Sequence, residues 1–194
     1  DAVDREDLSL SDEVNGLSRP GILLRDAIQR ANKVIFQTAK TQSNCEGMGT
    51  TVVAGLFFDD KLTIAHVGDS RMYRCRDGKL EQVTQDHSLL QELVSRGFYT
   101  PEEAQRAAAK NYVTRALGVE PSVDVAITEV PALKDDVYLL CSDGLSSVVP
   151  DAQIEQALLD HPDPADACQA LVAAANDGGG PDNITTLIVH VDAP

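Results

Sequence analysis

The sequence predicts an α+β domain, with antiparallel strands bunched in the middle and helices before and after them. Three observations carry this. Short β-like runs follow one another between residues 50 and 83, helical apolar spacing flanks them on both sides, and tight-turn pairs such as Asp77-Gly78 separate the runs. No regular alternation of strand and helix appears, which argues against a parallel sheet. The 194 residues are expected to form one domain, 1–194, because a chain of this size buries roughly 70% of its unfolded surface.

The elements can be justified in order. Residues 1–18 hold six acids and one base among small polar residues and read as an acidic, solvent-facing lead-in. Pro20-Gly21 then opens a helix in which Ile22, Leu23, Ile28, Ala31, Ile35 and Ala39 recur at helical spacing. Strands are expected at 50–58, 61–67, 71–76 and 79–83, parted by Asp59-Asp60, Gly68-Asp69 and Asp77-Gly78; in succession they predict a four-stranded meander. From 86 to 117 the pattern is helical, with Asp86 or Ser88 as a cap. A second start lies at Thr100, where Pro101 and Glu103 complete a capping box. Strands return at 123–130 and 137–141, helices at 150–159 and 164–176, and a closing strand at 184–191.

Composition narrows the function classes. A net charge of -15 repels nucleic acid and anionic membrane surfaces while concentrating divalent cations. Cys45, Cys75, Cys141 and Cys168 are scattered without a Cys-x-x-Cys pair, which disfavours zinc and suits reduced thiols in a cytoplasm. No apolar run reaches the length of a membrane span. A Gly-x-Ser-x-Gly elbow, a Walker loop and a cysteine followed six positions later by arginine are all missing, so serine-hydrolase, nucleotide-hydrolase and thiol-phosphatase chemistry lack their motifs. Asp86-His87-Ser88 is no triad, since sequence neighbours do not face one another; His87 reads as part of a helix start, and His66 and His190 as strand residues.

Three acidic turns carry the remaining chemistry. Asp69, Asp143 and Asp182 each sit in or beside a glycine turn that abuts an apolar run. A carboxylate at a strand end suits a hard divalent cation with oxygen ligands. Taken singly, each has a plainer explanation: a hairpin turn with Asp69 paired to Arg71, an Asx turn at Asp143, and a flexible loop at Asp182. Spacing alone leaves both readings open.

The segments Gly47-Met48-Gly49-Thr50-Thr51, Ala65-His66-Val67-Gly68-Asp69-Ser70-Arg71-Met72-Tyr73, Val83-Thr84-Gln85-Asp86-His87-Ser88, Thr114-Arg115-Ala116-Leu117-Gly118, Leu139-Leu140-Cys141-Ser142-Asp143-Gly144-Leu145 and Gly179-Gly180-Pro181-Asp182-Asn183-Ile184-Thr185 occur in this order. Together they resemble the metal-dependent protein serine/threonine phosphatases (PPM, type 2C) in their compact bacterial form, over residues 21 to 191. The resemblance implies an α-β-β-α sandwich of two antiparallel sheets flanked by helices. It also implies hydrolysis of phosphoserine and phosphothreonine in proteins, the products of a serine/threonine kinase. Two Mg²⁺ or Mn²⁺ ions roughly 4 Å apart would activate the attacking water, and a third ion is found in bacterial members. By position, Asp143 and Asp182 resemble ligands of the second ion, and Asp69 with Asp143 those of the third. Residues 89–111 resemble the flap beside the active site, with Ala107-Ala108-Ala109-Lys110 where many bacterial members carry a His-Pro pair.

The family's early motifs, an arginine, a Glu-Asp pair and an Asp-Gly-Met-Gly-Gly-His strand end, do not precede the first helix here. They supply the phosphate-binding arginine, the aspartate bridging two metals and a candidate acid. The expectation is therefore a phosphatase whose N-terminal strands are missing from this chain. The alternative is a catalytically inactive phosphatase-like fragment that binds a partner.

Overall fold

A computed structural model describes residues 16–100, 103 and 112–192. The chain forms two compact units, each assembled from two separate segments: Asp1–Gly68 with His87–Pro131, and Asp69–Asp86 with Ala132–Pro194.

In the first unit, α1 (Arg19–Thr41) begins at Ser18, whose side chain accepts from the Gly21 amide, and Pro20 occupies its first turn. Strands β1 (Val52–Phe58) and β2 (Lys61–Val67) form a hairpin, and β2 also pairs antiparallel with β5 (Ala126–Pro131), giving the order β1-β2-β5. Ile28 of α1 packs with Ala65, Val67, Leu117 and Val123 in the core of this unit. Asn32, fully buried on α1, accepts from the Gly118 amide and donates to the Glu120 carbonyl, so α1 fixes that loop. Helix α2 (Leu89–Ser95) is capped by Ser88, whose hydroxyl accepts from the Gln91 amide. The capping box stands as well: the Thr100 amide donates to the Glu103 carboxylate while the Thr100 hydroxyl accepts from the Glu103 amide.

The second unit holds β3 (Arg71–Arg76), β4 (Lys79–Gln82), β6 (Val137–Cys141) and β7 (Thr186–His190) in the antiparallel order β4-β3-β6-β7. The β3–β4 hairpin turns on Asp77 and Gly78, with φ of 51° and 74°, the left-handed pair that matches strand twist. After β6 come α3 (Asp143–Ser146), α4 (Asp151–Asp160) and α5 (Pro164–Asp177). Tyr73, Leu139, Leu145, Ile154 and Leu171 are fully buried together between this sheet and its helices. Two antiparallel sheets with flanking helices are thus the architecture.

Two expectations are corrected. The four early strands do not make one meander, because β2 pairs with β1 and β5 while β3 pairs with β4 and β6. The backbone groups of Gly68 that a hairpin would use are taken by His87: the Gly68 amide donates to His87 Nδ1 at 3.0 Å, and the His87 amide donates to the Gly68 carbonyl at 2.9 Å. Nor does the helical pattern run on to 117. Val113 and Leu117 bridge to Ser88 and Thr50 in extended backbone, a case of a short apolar run whose period is ambiguous. The acidic lead-in up to residue 15, and most of the flap-like segment beyond residue 100, lie outside the described residues.

Candidate metal centre

Strand register gathers the three acids at one end of the four-stranded sheet. Arg71 at the start of β3 lies opposite Cys141 at the end of β6, and Cys141 lies opposite Thr186 at the start of β7. Asp69 is two residues before Arg71, Asp143 two residues after Cys141, and Asp182 four residues before Thr186. Antiparallel pairing therefore brings all three acidic turns off the same sheet end.

The turns bearing Asp143 and Asp182 are joined directly. The Ser142 hydroxyl donates to the Asn183 carbonyl and accepts from the Thr185 amide, both at 3.0 Å, and the Ser142 amide donates to the Thr185 carbonyl at 3.1 Å. Gly144 permits this approach, because a Cβ there would stand 2.3 Å from the Asn183 carbonyl oxygen. Asp182 itself is exposed and accepts the Asn183 amide at 2.7 Å.

Asp69 is electrostatically tied to Asp143. Burial pushes the Asp69 carboxyl above its usual range, and the Asp143 carboxylate pushes it further the same way. A half-buried carboxylate whose charge is disfavoured by a second, half-buried carboxylate is a donor that a divalent cation relieves, and the oxygens of the two suit Mg²⁺ or Mn²⁺. The residues present fit such an ion in this respect. Among the described residues, however, no three His, Cys, Asp or Glu side chains are already arranged to hold a metal.

The hairpin pairing of Asp69 with Arg71 is not what forms. Arg71 instead grips Asp86: Nε lies 2.9 and 3.1 Å from the two carboxylate oxygens and Nη2 lies 2.7 Å from Oδ2. Its Nη1 donates to the Tyr73 hydroxyl at 2.8 Å, and that hydroxyl donates to Asp151 at 3.1 Å. Sequence reasoning offered Asp86 only as a helix cap and missed this pair; the signal available was an acid beside a predicted strand end, with no indication of its partner. Burial raises the Cys141 thiol to about 12, so it stays protonated at neutral pH. His66 and His87 stack with centroids 4.7 Å apart, and His190 bonds Asp192 at 2.9 Å. His66 and His190 lie in strands, and His87 directly precedes the Ser88 cap.

The sequence and the fold match known proteins. The sequence profile described as protein phosphatase 2C matches residues 3–93. A serine/threonine phosphatase, stp, of Listeria monocytogenes is 41% identical over 169 residues, covering 87% of this chain and 67% of the relative. The serine/threonine protein phosphatase PstP of Mycobacterium tuberculosis is 41% identical over 165 residues, covering 85% of this chain and 32% of that protein. Among solved structures, the M. tuberculosis phosphatase PstP/Ppp superposes with a TM-score of 0.85 at 38% identity, over 96% of this chain and 79% of that one. The PstP catalytic domain in complex with two manganese ions gives a TM-score of 0.77 at 41% identity, over 91% of this chain and 73% of that one.

The two-sheet fold is thus that of the serine/threonine phosphatases among the solved structures. The chain belongs to the protein phosphatase 2C (PPM) family. It spans about two thirds of the length of the Listeria relatives and about one third of the mycobacterial protein.

Proposed function

We propose that this chain belongs to a protein serine/threonine phosphatase in which Asp69, Asp143 and Asp182 hold Mg²⁺ or Mn²⁺, two or three ions in all. The observation that carries the reading is the β3–β6–β7 register, which delivers the three acids to one sheet end. When bound, such ions supply Lewis-acid stabilisation of a phosphate ester and activate water for its hydrolysis. Asp143 and Asp182 would hold one ion and Asp69 with Asp143 another, as the family resemblance implies. Ser142, Gly144 and Asn183 hold the Asp182 turn against the Asp143 turn.

Phosphorylated proteins made by a serine/threonine kinase are the substrates. The names of the relatives, and the two manganese ions of one of them, favour the enzyme over an inactive partner-binding fragment. The net charge of -15 supports the absence of nucleic-acid and membrane partners, and no helix among the described residues is long and apolar enough to cross a membrane. Four free cysteines support a reducing cytoplasm as its compartment. Each compact unit is built from two separated segments, which supports reading 1–194 as one phosphatase domain. The test is Mn²⁺-dependent hydrolysis of an aryl phosphate by the wild-type protein and by Asp143→Asn. A loss of at least ~100-fold in the variant is expected, since a ligand to the reactive ions is removed; equal rates would overturn the assignment.

A further inference from the structure

We propose that Asp86 is a positioning residue: by occupying the Arg71 guanidinium it keeps that cation away from Asp69 and leaves the carboxylates free for metal. The proposal rests on the reading of Asp69 and Asp143 as cation ligands.

Arg71 stands two residues from Asp69, and its planar fork matches a carboxylate in two-pronged fashion. An unengaged guanidinium there would neutralise the half-buried Asp69 and compete with any divalent ion. The structure leaves it no such freedom. Nε and Nη2 are spent on Asp86 at 2.7 to 3.1 Å, and Nη1 on the Tyr73 hydroxyl at 2.8 Å. Asp86 is itself fixed: Gln82 Nε2 donates to its Oδ1 at 2.9 Å while also donating to the Thr84 carbonyl at 2.8 Å. The pair is well shielded, with side chains 25% and 13% exposed, so it holds its geometry better than a surface ion pair. The +1 of Arg71 and the -1 of Asp86 cancel, so the guanidinium is compensated by Asp86 and not by Asp69.

Mn²⁺ binding to the 194-residue chain, measured by calorimetry and by loss of the free-ion paramagnetic signal, tests this directly. Asp86→Asn releases Arg71 and is expected to weaken Mn²⁺ binding about tenfold or more, the scale on which a nearby opposite charge shifts a carboxylate equilibrium. Arg71→Gln is expected to bind at least as tightly as wild type. The double variant Arg71→Gln/Asp86→Asn is expected to recover binding to within about threefold, an outcome that mere structural damage at Asp86 would not give. Wild-type affinity in Asp86→Asn, weakened binding in Arg71→Gln, or a double variant as weak as Asp86→Asn alone would each overturn the proposal. Asp143→Asn separates the two levels: if wild type binds no Mn²⁺, or binds it equally well in Asp143→Asn, the site reading itself fails.

Discussion

Replacing Gly144 with alanine drives a methyl group toward the turn that carries Asp182. The new Cβ would sit 2.3 Å from the Asn183 carbonyl oxygen and 2.9 Å from its carbonyl carbon, and both are backbone atoms that cannot rotate away. The first contact is about 1 Å inside ordinary van der Waals separation. Overpacking of this kind costs about 1–3 kcal/mol. Against it stands a helix-propensity gain for alanine over glycine of at most ~1 kcal/mol, since α3 is a single short turn. The net expectation is destabilisation by about 1–2 kcal/mol, or roughly 2–8 °C in Tm for a domain of this size. If the strain is relieved by moving the 182–185 turn by ~1 Å, Asp182 leaves its place and Mn²⁺-dependent hydrolysis falls by about 10- to 100-fold. Urea unfolding and aryl-phosphate kinetics on the same preparation read both effects. A Gly144→Ala protein as stable as wild type or more so, with an unchanged rate, would refute the close approach of the two turns.

Two further outcomes follow from the same unit. Asp136 is 1% exposed and accepts from Arg76 twice at 2.7 Å, from the Leu133 amide at 2.8 Å and from the Tyr138 hydroxyl at 3.1 Å. Burial works to raise its carboxyl, but these donors outweigh it and hold it below the usual range. Its stabilisation is therefore present above the unfolded-state value of about 4 and is lost as pH falls through its lower folded value. Asp136→Asn should cost about 2–3 kcal/mol at pH 7, less than a fully buried pair because Arg76 is partly solvated, and should flatten the acid limb of the urea-midpoint profile. An unchanged midpoint at pH 7 would count against it. Ser142→Ala removes one donor and one acceptor between the two acidic turns; a loss of about 1–2 kcal/mol is expected, with faster amide exchange at Thr185. Unaltered exchange at Thr185 would show that the bridge is not holding the turn.

Local features were the legible part of this chain. The apolar spacing of α1, the Asp77-Gly78 hairpin and the Thr100–Glu103 capping box are each set by a few neighbouring residues, and all are present. Long-range pairing was not legible. Gly68-Asp69 looks like a hairpin between two strands, yet the partners of β2 and β3 include β5 and β6, more than fifty residues on. Nothing between residues 61 and 76 encodes that choice, because it depends on which apolar faces find cover. The site divides the same way. Asp69, Asp143 and Asp182 stood out because each ends or precedes an apolar run beside glycine. Ser142 and Gly144, which join the turns of Asp143 and Asp182, and Asp86, which engages Arg71, act through contacts made only once the strands pair. Arg71 shows the difference most clearly, since its neighbour in sequence is Asp69 but its partner in space is Asp86.

Crystals of the protein soaked in Mn²⁺ and measured for anomalous scattering interrogate the carboxylate assignment most immediately. Peaks flanked by Asp69 and Asp143, and by Asp143 and Asp182, are predicted, with the Asp143→Asn crystal losing both. Well-ordered crystals that show no manganese peak beside Asp143, or that place the ions at other side chains, would contradict it.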